Sequence, residues 1–234
     1  MTPPLFLQRF FSPASQRRWL AASLRQSAAA EPLVSYLDTP LPEREGDWRS
    51  TGYLALDLET TGGDPARDDI LSFGWVCLDG PEIRLATARH RLVQPRRALN
   101  EASVTIHRIT DDRAAEGEPL RRVLKEFLAD LKGRVLIAHY TPTEVRFIDT
   151  ACRACYGGRF LPPVIDTLDL ARRQAAQSAP GSLRLGALRA RHHLPRYPMH
   201  HALSDALAAA ELFLAQAEAA STNRPARLGD LLLA

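Results

Sequence analysis

Two carboxylates separated by one residue, Asp57 and Glu59, follow a short apolar run within the segment 53–63. Because side chains alternate along a strand, Leu54 and Leu56 are expected on one face and the two acids together on the other. Acids this close repel each other unless a cation lies between them, and ligand sets of oxygen atoms favour Mg²⁺ or Mn²⁺. The same spacing is also typical of a solvated edge strand, so other parts of the chain must decide between these interpretations.

Two further acids are expected where strands give way to helices. Glu144 follows a wholly apolar strand and lies in the first turn of a helix with Thr141 as its predicted N-cap. Asp205 lies near the start of the helical segment 202–218, and His200 precedes it by five residues. Acids at strand ends and helix starts are the usual arrangement of a site in an open α/β sheet. Four such acids would be destabilising alone, but with two divalent ions about 4 Å apart they form a cage suited to phosphodiester cleavage.

The elements that must position these acids alternate between strands and helices, which predicts an α/β fold. After the first strand, the expected order is strand 70–78, its hairpin partner 83–93, helix 120–131 closed by Gly133, strands 135–138 and 164–166, and helices 168–176 and 202–218.

The composition is that of an ordinary globular protein, with 45% hydrophobic and 24% charged residues in 234 positions. No apolar run approaches the roughly 20 residues that cross a bilayer, which excludes an integral membrane protein. The chain carries a net charge of +3 and has only two lysines, Lys125 and Lys132, so nearly all its positive charge is arginine. Arginine suits phosphate binding, but the same bias can reflect the base composition of a genome.

The three cysteines, Cys77, Cys152 and Cys155, are odd in number and include one Cys-x-x-Cys pair without a second pair at zinc-finger spacing. We interpret them as reduced thiols of a cytoplasmic protein.

The chain divides by composition into three parts. Residues 1–50 are expected to form an N-terminal helical extension and a linker, residues 51–218 the catalytic domain, and residues 219–234 a C-terminal tail. The first 30 residues contain four arginines before the first acid, which is also the composition of a mitochondrial presequence. We favour an amphipathic helix packed on the domain and keep targeting as the alternative.

From about Tyr53 to Gln216 the sequence resembles the DEDDh superfamily of 3′-to-5′ exonucleases. That group includes ribonuclease T, oligoribonuclease and the proofreading epsilon subunit of bacterial DNA polymerase III, which this chain resembles in particular. The family's first motif, Asp-x-Glu-Thr-Thr-Gly, matches from Asp57 to Gly62, the second from His139 to Phe147, and the third from His200 to Asp205. Three motifs in the right order and at the right intervals are a specific signal.

The resemblance implies a ribonuclease H-like fold, a five-stranded mixed sheet flanked by helices with the second strand antiparallel. It implies that Asp57 bridges two Mg²⁺ or Mn²⁺ ions, that Glu59 and Asp205 hold mainly one of them, and that His200 is the general base. Glu144 would be the fourth acid and metal ligand. The residues expected to contact the nucleic acid are Thr60, Thr61, Gly62, His107 and Tyr140.

The implied activity is release of nucleoside monophosphates from the 3′ end of single-stranded DNA or RNA, with a DNA polymerase as a further candidate partner and no membrane contact. Three positions depart from the family pattern. Glu144 stands where Asp is usual, Tyr140 where Asn is usual, and Gly63 where relatives often carry a large apolar residue. These departures keep open a second hypothesis, a catalytically weakened nucleic-acid-binding or polymerase-accessory module.

Overall fold

The structure is a computed structural model that describes residues 12–96, 115–174, 182–198, 200–221 and 224–233. The strands are β1 (Gly52–Thr60), β2 (Ile70–Asp79), β3 (Glu82–Ile83), β4 (Arg89–Leu92), β5 (Val135–Ala138) and β6 (Val164–Asp166). The helices are α1 (Pro13–Leu24), α2 (Glu31–Asp38), α3 (Leu120–Leu131), α4 (Pro142–Tyr156), α5 (Thr167–Gln174), α6 (Leu185–Arg191), α7 (Ala202–Ala219) and α8 (Leu228–Leu231). Within these ranges no helix combines the length and apolar character that a bilayer span requires.

The strands form one mixed sheet in the order β3-β2-β1-β5-β6, and β4 also pairs with β2. β2 is antiparallel to β1, whereas β5 is parallel to β1 and β6 is parallel to β5. The carboxyl ends of β1, β5 and β6 therefore lie along the same edge of the sheet. This is the mixed sheet with an antiparallel second strand that the ribonuclease H-like prediction requires.

The hairpin partner expected over residues 83–93 is two strands rather than one, which gives the sheet six strands instead of five. A short 3₁₀ turn, Leu85–Thr87, separates β3 from β4. The Thr87 hydroxyl accepts a hydrogen bond from the backbone N–H of Cys77 at 2.9 Å and donates one to the carbonyl of Arg84 at 2.7 Å. A side chain thus replaces the main-chain ladder at this point, so the strand is interrupted.

Alternation along β1 divides the buried core between the two faces of the sheet. Leu54, Leu56 and Leu58 belong to a cluster that includes buried residues of α2, α3 and α4. Tyr53 and Ala55 belong to a second cluster that includes buried residues of α7 and α8. The predicted alternation is therefore confirmed, and the face covered by α7 is the one on which the acids of β1 continue.

The N-terminal helices pack against the same core as the sheet. Leu20 of α1 and Leu33 of α2 lie in the first cluster, and the buried guanidinium of Arg17 donates to the carbonyls of Tyr36 and Leu161, both at 2.6 Å. Leu228 of α8 packs in the second cluster. The expected helical packing of the N-terminal segment is present as two helices, and the division of the chain at residues 50 and 218 stays a prediction.

Candidate active site

The acids of β1 lie at its carboxyl end on the face covered by α7. Glu59 is only 6% exposed, and Asp57 is partly buried. The pairing of β1 with β2 shifts register between Glu59 and Thr60, so the strand bends directly after its second acid. Both carboxylates therefore lie on the regularly paired part of β1, before the irregularity.

Asp205 reaches the same place from the first turn of α7. Its carboxylate and those of Asp57 and Glu59 each offer an oxygen atom, and these three atoms lie within 4.8 Å of one another. Asp205 Oδ2 also accepts a hydrogen bond from the backbone N–H of His200 at 2.9 Å. The structure thus brings together three of the four acids predicted from the sequence.

Burial and mutual repulsion act on these acids in the same direction. Burial raises the pKa of Asp57 well above its usual range, and the charges of Glu144, Glu59 and Asp205 raise it further. Burial also raises the pKa of Asp205, although the backbone N–H of His200 opposes that rise. Buried carboxylates that disfavour each other's ionisation fit a divalent cation, whose charge would compensate them and whose preferred ligands are oxygen atoms.

Glu144 lies in the first turn of α4, beside the carboxyl end of β5, but outside the set of three acids that share the 4.8 Å separation. Its side chain is almost fully buried, and among the described residues its Oε2 atom has no hydrogen-bond partner. Burial is the main cause that raises the pKa of Glu144 to about 8, and the nearby charge of Asp166 adds to the rise. A buried carboxylate oxygen of this kind is a second observation that fits a cation at the site.

The turn between β5 and α4 is held by Asp166, a residue whose part in the site the sequence did not reveal. Asp166 Oδ1 accepts a hydrogen bond from the backbone N–H of Tyr140 at 3.0 Å, and Oδ2 accepts one from that of Thr141 at 3.1 Å. Thr141 is the N-cap residue as predicted, but its hydroxyl does not cap the helix; it also lies against Asp166 Oδ2, at 3.2 Å. The available signal was an acid at the end of a short apolar strand.

The two neighbouring histidines have different surroundings. His201 is the N-cap of α7, its Nδ1 atom accepts from the backbone N–H of Ser204 at 3.4 Å, and its ring lies 4.4 Å from that of His90. His200 is exposed and has a left-handed backbone with φ 63°. Both histidines are exposed, but the ring of His201 contacts Ser204 and His90, whereas His200 donates its backbone N–H to Asp205.

The predicted nucleic-acid contacts lie in different settings. The Thr60 hydroxyl donates to the carbonyl of Gly62 at 2.8 Å, and the Thr61 hydroxyl accepts from the backbone N–H of Asp69 at 2.9 Å, so both support the loop after β1. Tyr140 is 51% exposed, with φ 74°. His107 lies outside the described residues.

Comparison with known proteins agrees with this architecture. The RNase_T family model, described as an exonuclease, matches residues 54–213. The chain is 32% identical over 168 residues to the PolC-type DNA polymerase III of Thermotoga maritima, a match that covers 69% of the chain but only 12% of the polymerase.

Two solved structures share the fold. Exonuclease X, in complex with 5′-overhanging duplex DNA, aligns with a TM-score of 0.60 at 21% identity over 76% of this chain and 98% of its own. The nuclease domain of 3′hExo, described as a DEDDh family member bound to rAMP, aligns with a TM-score of 0.60 at 16% identity over 72% of this chain and 92% of its own. Because the family match covers more than half of the chain, the protein belongs to the RNase_T exonuclease family.

Proposed function

We propose that the protein is a metal-dependent 3′-to-5′ exonuclease that releases nucleoside monophosphates from the 3′ end of single-stranded DNA or RNA. The observation that carries the proposal is the convergence of oxygen atoms from Asp57, Glu59 and Asp205 within 4.8 Å at the edge of the sheet. Membership of an exonuclease family supports the reaction class, and the direction of attack is part of the proposal.

In this proposal Asp57, Glu59 and Asp205 hold two divalent cations, with Glu144 as a further ligand. Bound Mg²⁺ or Mn²⁺ would stabilise the charge that develops on the phosphoryl oxygens and lower the pKa of the attacking water. The exposed imidazole of His200 accepts a proton from that water at a ring nitrogen, in the manner of a general base. The bond from water oxygen to phosphorus forms, the bond from phosphorus to the 3′ oxygen of the preceding nucleotide breaks, and that oxygen is protonated from solvent.

The nucleic acid would enter past the loop after β1 and past Tyr140. The exposed ring of Tyr140 offers a face on which a base can stack, a contact that tolerates any sequence. A Cβ atom built on Gly63 would meet nothing within 4 Å, which leaves room for a nucleotide but provides no wedge between bases. One structural relative was solved with DNA and another with a ribonucleotide, which supports testing both DNA and RNA.

The direction is tested with one single-stranded oligonucleotide labelled at either end. With a 5′ label, Mn²⁺ should produce a ladder of gradually shorter labelled products, and with a 3′ label the labelled mononucleotide should be released first. EDTA and Asp57→Asn should each abolish both patterns. Release of the 5′-terminal nucleotide first, or turnover in excess EDTA, would refute the proposal. Calorimetric titration with Mn²⁺ should give two ions for each chain, and one ion would refute the two-metal part.

The second candidate function, a catalytically weakened nucleic-acid-binding or polymerase-accessory module, is favoured by the departures at Glu144, Tyr140 and Gly63. The same oligonucleotides separate the two functions. Tight binding without nucleotide release in Mg²⁺ or Mn²⁺ would establish the weakened module.

The cellular context is a further part of the proposal. The PolC-type relative supports association with a DNA polymerase, although the match spans a small part of that protein. The three cysteines are free thiols, which supports a cytoplasmic location. Co-elution of the purified chain with the polymerase III catalytic subunit of its own organism would test the association, and separate elution would contradict it.

A further inference from the structure

Gly74 occupies the middle of β2, in a stretch that is buried from Ile70 to Leu78. A glycine weakens a strand interior because it has no side chain to pack and loses more backbone entropy on folding than other residues. Apolar β-branched or aromatic residues are favoured at such positions. A glycine here therefore calls for a specific reason, and close approach of another backbone is one of the few that apply.

The main chain of α7 lies directly on this glycine. A Cβ atom built on Gly74 would lie 2.1 Å from the carbonyl carbon of Ala202 and 2.1 Å from the backbone nitrogen of Leu203. Both atoms belong to the backbone at the start of α7, so no side-chain rotation can relieve the contact. An added methyl group would have to push the helix start away from the sheet by about 1 Å, a displacement large enough to disturb a catalytic site.

The position of Gly74 connects this contact to the candidate active site. In the pairing of β1 with β2, Gly74 stands directly opposite Asp57. On the helix, Ala202 and Leu203 precede Asp205 by less than one turn. A tight backbone contact between α7 and the sheet is therefore made beside one acid and just before another.

We propose that Gly74 is a positioning residue for the cation site: by admitting the start of α7 against β2, it sets the separation of Asp205 from Asp57 and Glu59. The inference rests on the proposed function in one respect, that these acids hold divalent cations. Cation binding then depends on Gly74, which has no side-chain functional group, as well as on the acids. The signal in the sequence is a single glycine inside an apolar strand.

Gly80, directly after the last residue of β2, offers a control. A Cβ atom on Gly80 would lie 2.0 Å from the carbonyl oxygen of Arg49, so Gly80→Ala also forces apart two backbone segments. The strand residue before it, Asp79, pairs with Gly52 at the start of β1, remote from the acids at the end of that strand. Both substitutions should lower the unfolding temperature, but only Gly74→Ala should affect the cation site.

The experiment measures the Mn²⁺ dissociation constant by calorimetry, without nucleic acid, for wild type, Gly74→Ala and Gly80→Ala. Unfolding temperatures in EDTA show that each variant is folded. Gly74→Ala should bind Mn²⁺ about tenfold or more weakly, as is usual when the support of metal ligands is disturbed, whereas Gly80→Ala should bind as wild type does. Equal affinities for all three proteins, or equal losses in both variants, would overturn the inference.

Two additions make every outcome decisive. Variants that unfold in ordinary buffer are measured in trimethylamine N-oxide, which strengthens burial. If Gly74→Ala still fails to fold there, the glycine serves the fold and the inference is overturned. Wild-type protein that binds Mn²⁺ but cleaves no oligonucleotide would refute the proposed function and leave the inference standing. If wild type cleaves the oligonucleotide and Gly74→Ala binds Mn²⁺ as tightly as wild type does, the proposed function stands and the inference is refuted.

Discussion

The buried carboxyl group of Glu144 should make the metal-free protein less stable as the pH rises. Burial raises the pKa of Glu144 from 4.5 to about 8. At about 1.4 kcal/mol for each tenfold change in proton affinity, this rise corresponds to about 5 kcal/mol. A carboxylate in the first turn of a helix gains at most about 2 kcal/mol from the helix dipole, so the cost of burial outweighs that gain.

The direction of this pH dependence follows from the pH at which the folded and the unfolded state each release the proton of Glu144. The unfolded chain loses it near pH 4.5, while the folded metal-free protein keeps it until about pH 8. Between these values the folded state binds more protons than the unfolded state, so the free energy of unfolding falls as the pH rises and levels off above pH 8. Between about pH 5 and about pH 9 this one group should remove about 4 kcal/mol.

Glu144→Gln keeps the shape of the side chain but removes the carboxyl group that titrates. In EDTA its free energy of unfolding should depend less on pH than that of wild type, and its stability at about pH 9 should exceed wild type by about 4 kcal/mol. Urea unfolding is followed by the fluorescence of the buried Trp48 and Trp75. Glu43→Gln, a change at an exposed glutamate, should leave the pH dependence as it is.

Glu144→Gln should lower the activity, although it raises the stability of the metal-free protein at high pH. If Glu144 is a cation ligand, Glu144→Gln should lower the rate by orders of magnitude, and Mn²⁺ should stabilise wild type more than the variant. Glu144→Asp keeps the charge but shortens the side chain, so we expect a partial loss and a preference for Mn²⁺ over Mg²⁺. Equal pH dependence of wild type and Glu144→Gln in EDTA, together with equal rates in Mg²⁺, would show that Glu144 is an ordinary helix-start acid.

Two further predictions concern the other residues at the edge of the sheet. His200→Ala should lower kcat by about 10²- to 10⁴-fold at unchanged stability. His201→Ala should instead cost about 1 kcal/mol of stability through the lost N-cap and retain most of the rate. Urea unfolding and nucleotide release in saturating Mn²⁺ measure the two effects. A larger loss of rate in His201→Ala than in His200→Ala would show that His201 is the base. Tyr140→Ala should raise KM for a single-stranded oligonucleotide by about 5- to 100-fold if its ring stacks on a base, while Tyr140→Phe should bind as wild type does, and equal KM values would contradict stacking.

The part of the fold that follows from local periodicity was predictable from the sequence. Alternation along β1 placed Asp57 and Glu59 on the face opposite Leu54 and Leu56, and the two core clusters confirm it. The interrupted hairpin was not predictable, because it depends on a hydrogen bond that the backbone N–H of Cys77 donates to the hydroxyl of Thr87, which no periodicity encodes.

The candidate site was predictable as a set of residues but not as a geometry. Motif spacing named four acids, but it could not indicate that oxygen atoms of three of them lie within 4.8 Å of one another. Nor could it indicate that Glu144, outside that set, is buried and close enough for its charge to act on Asp57. It also gave no part to Gly74, since the separation of a helix from a sheet depends on tertiary packing. The roles of these residues in binding and catalysis stay predictions.

Two strained residues show how the acids also organise the backbone of the site. Tyr140 and His200 are non-glycine residues with positive φ, a conformation that costs about 1 to 3 kcal/mol. Each donates its backbone N–H to a carboxylate: Tyr140 to Asp166 and His200 to Asp205. Hydrogen bonds to an ionised acceptor are strong enough to offset strain of this size. Asp205 therefore connects the proposed cation site with the backbone of the proposed base, so a change in its position would move both together.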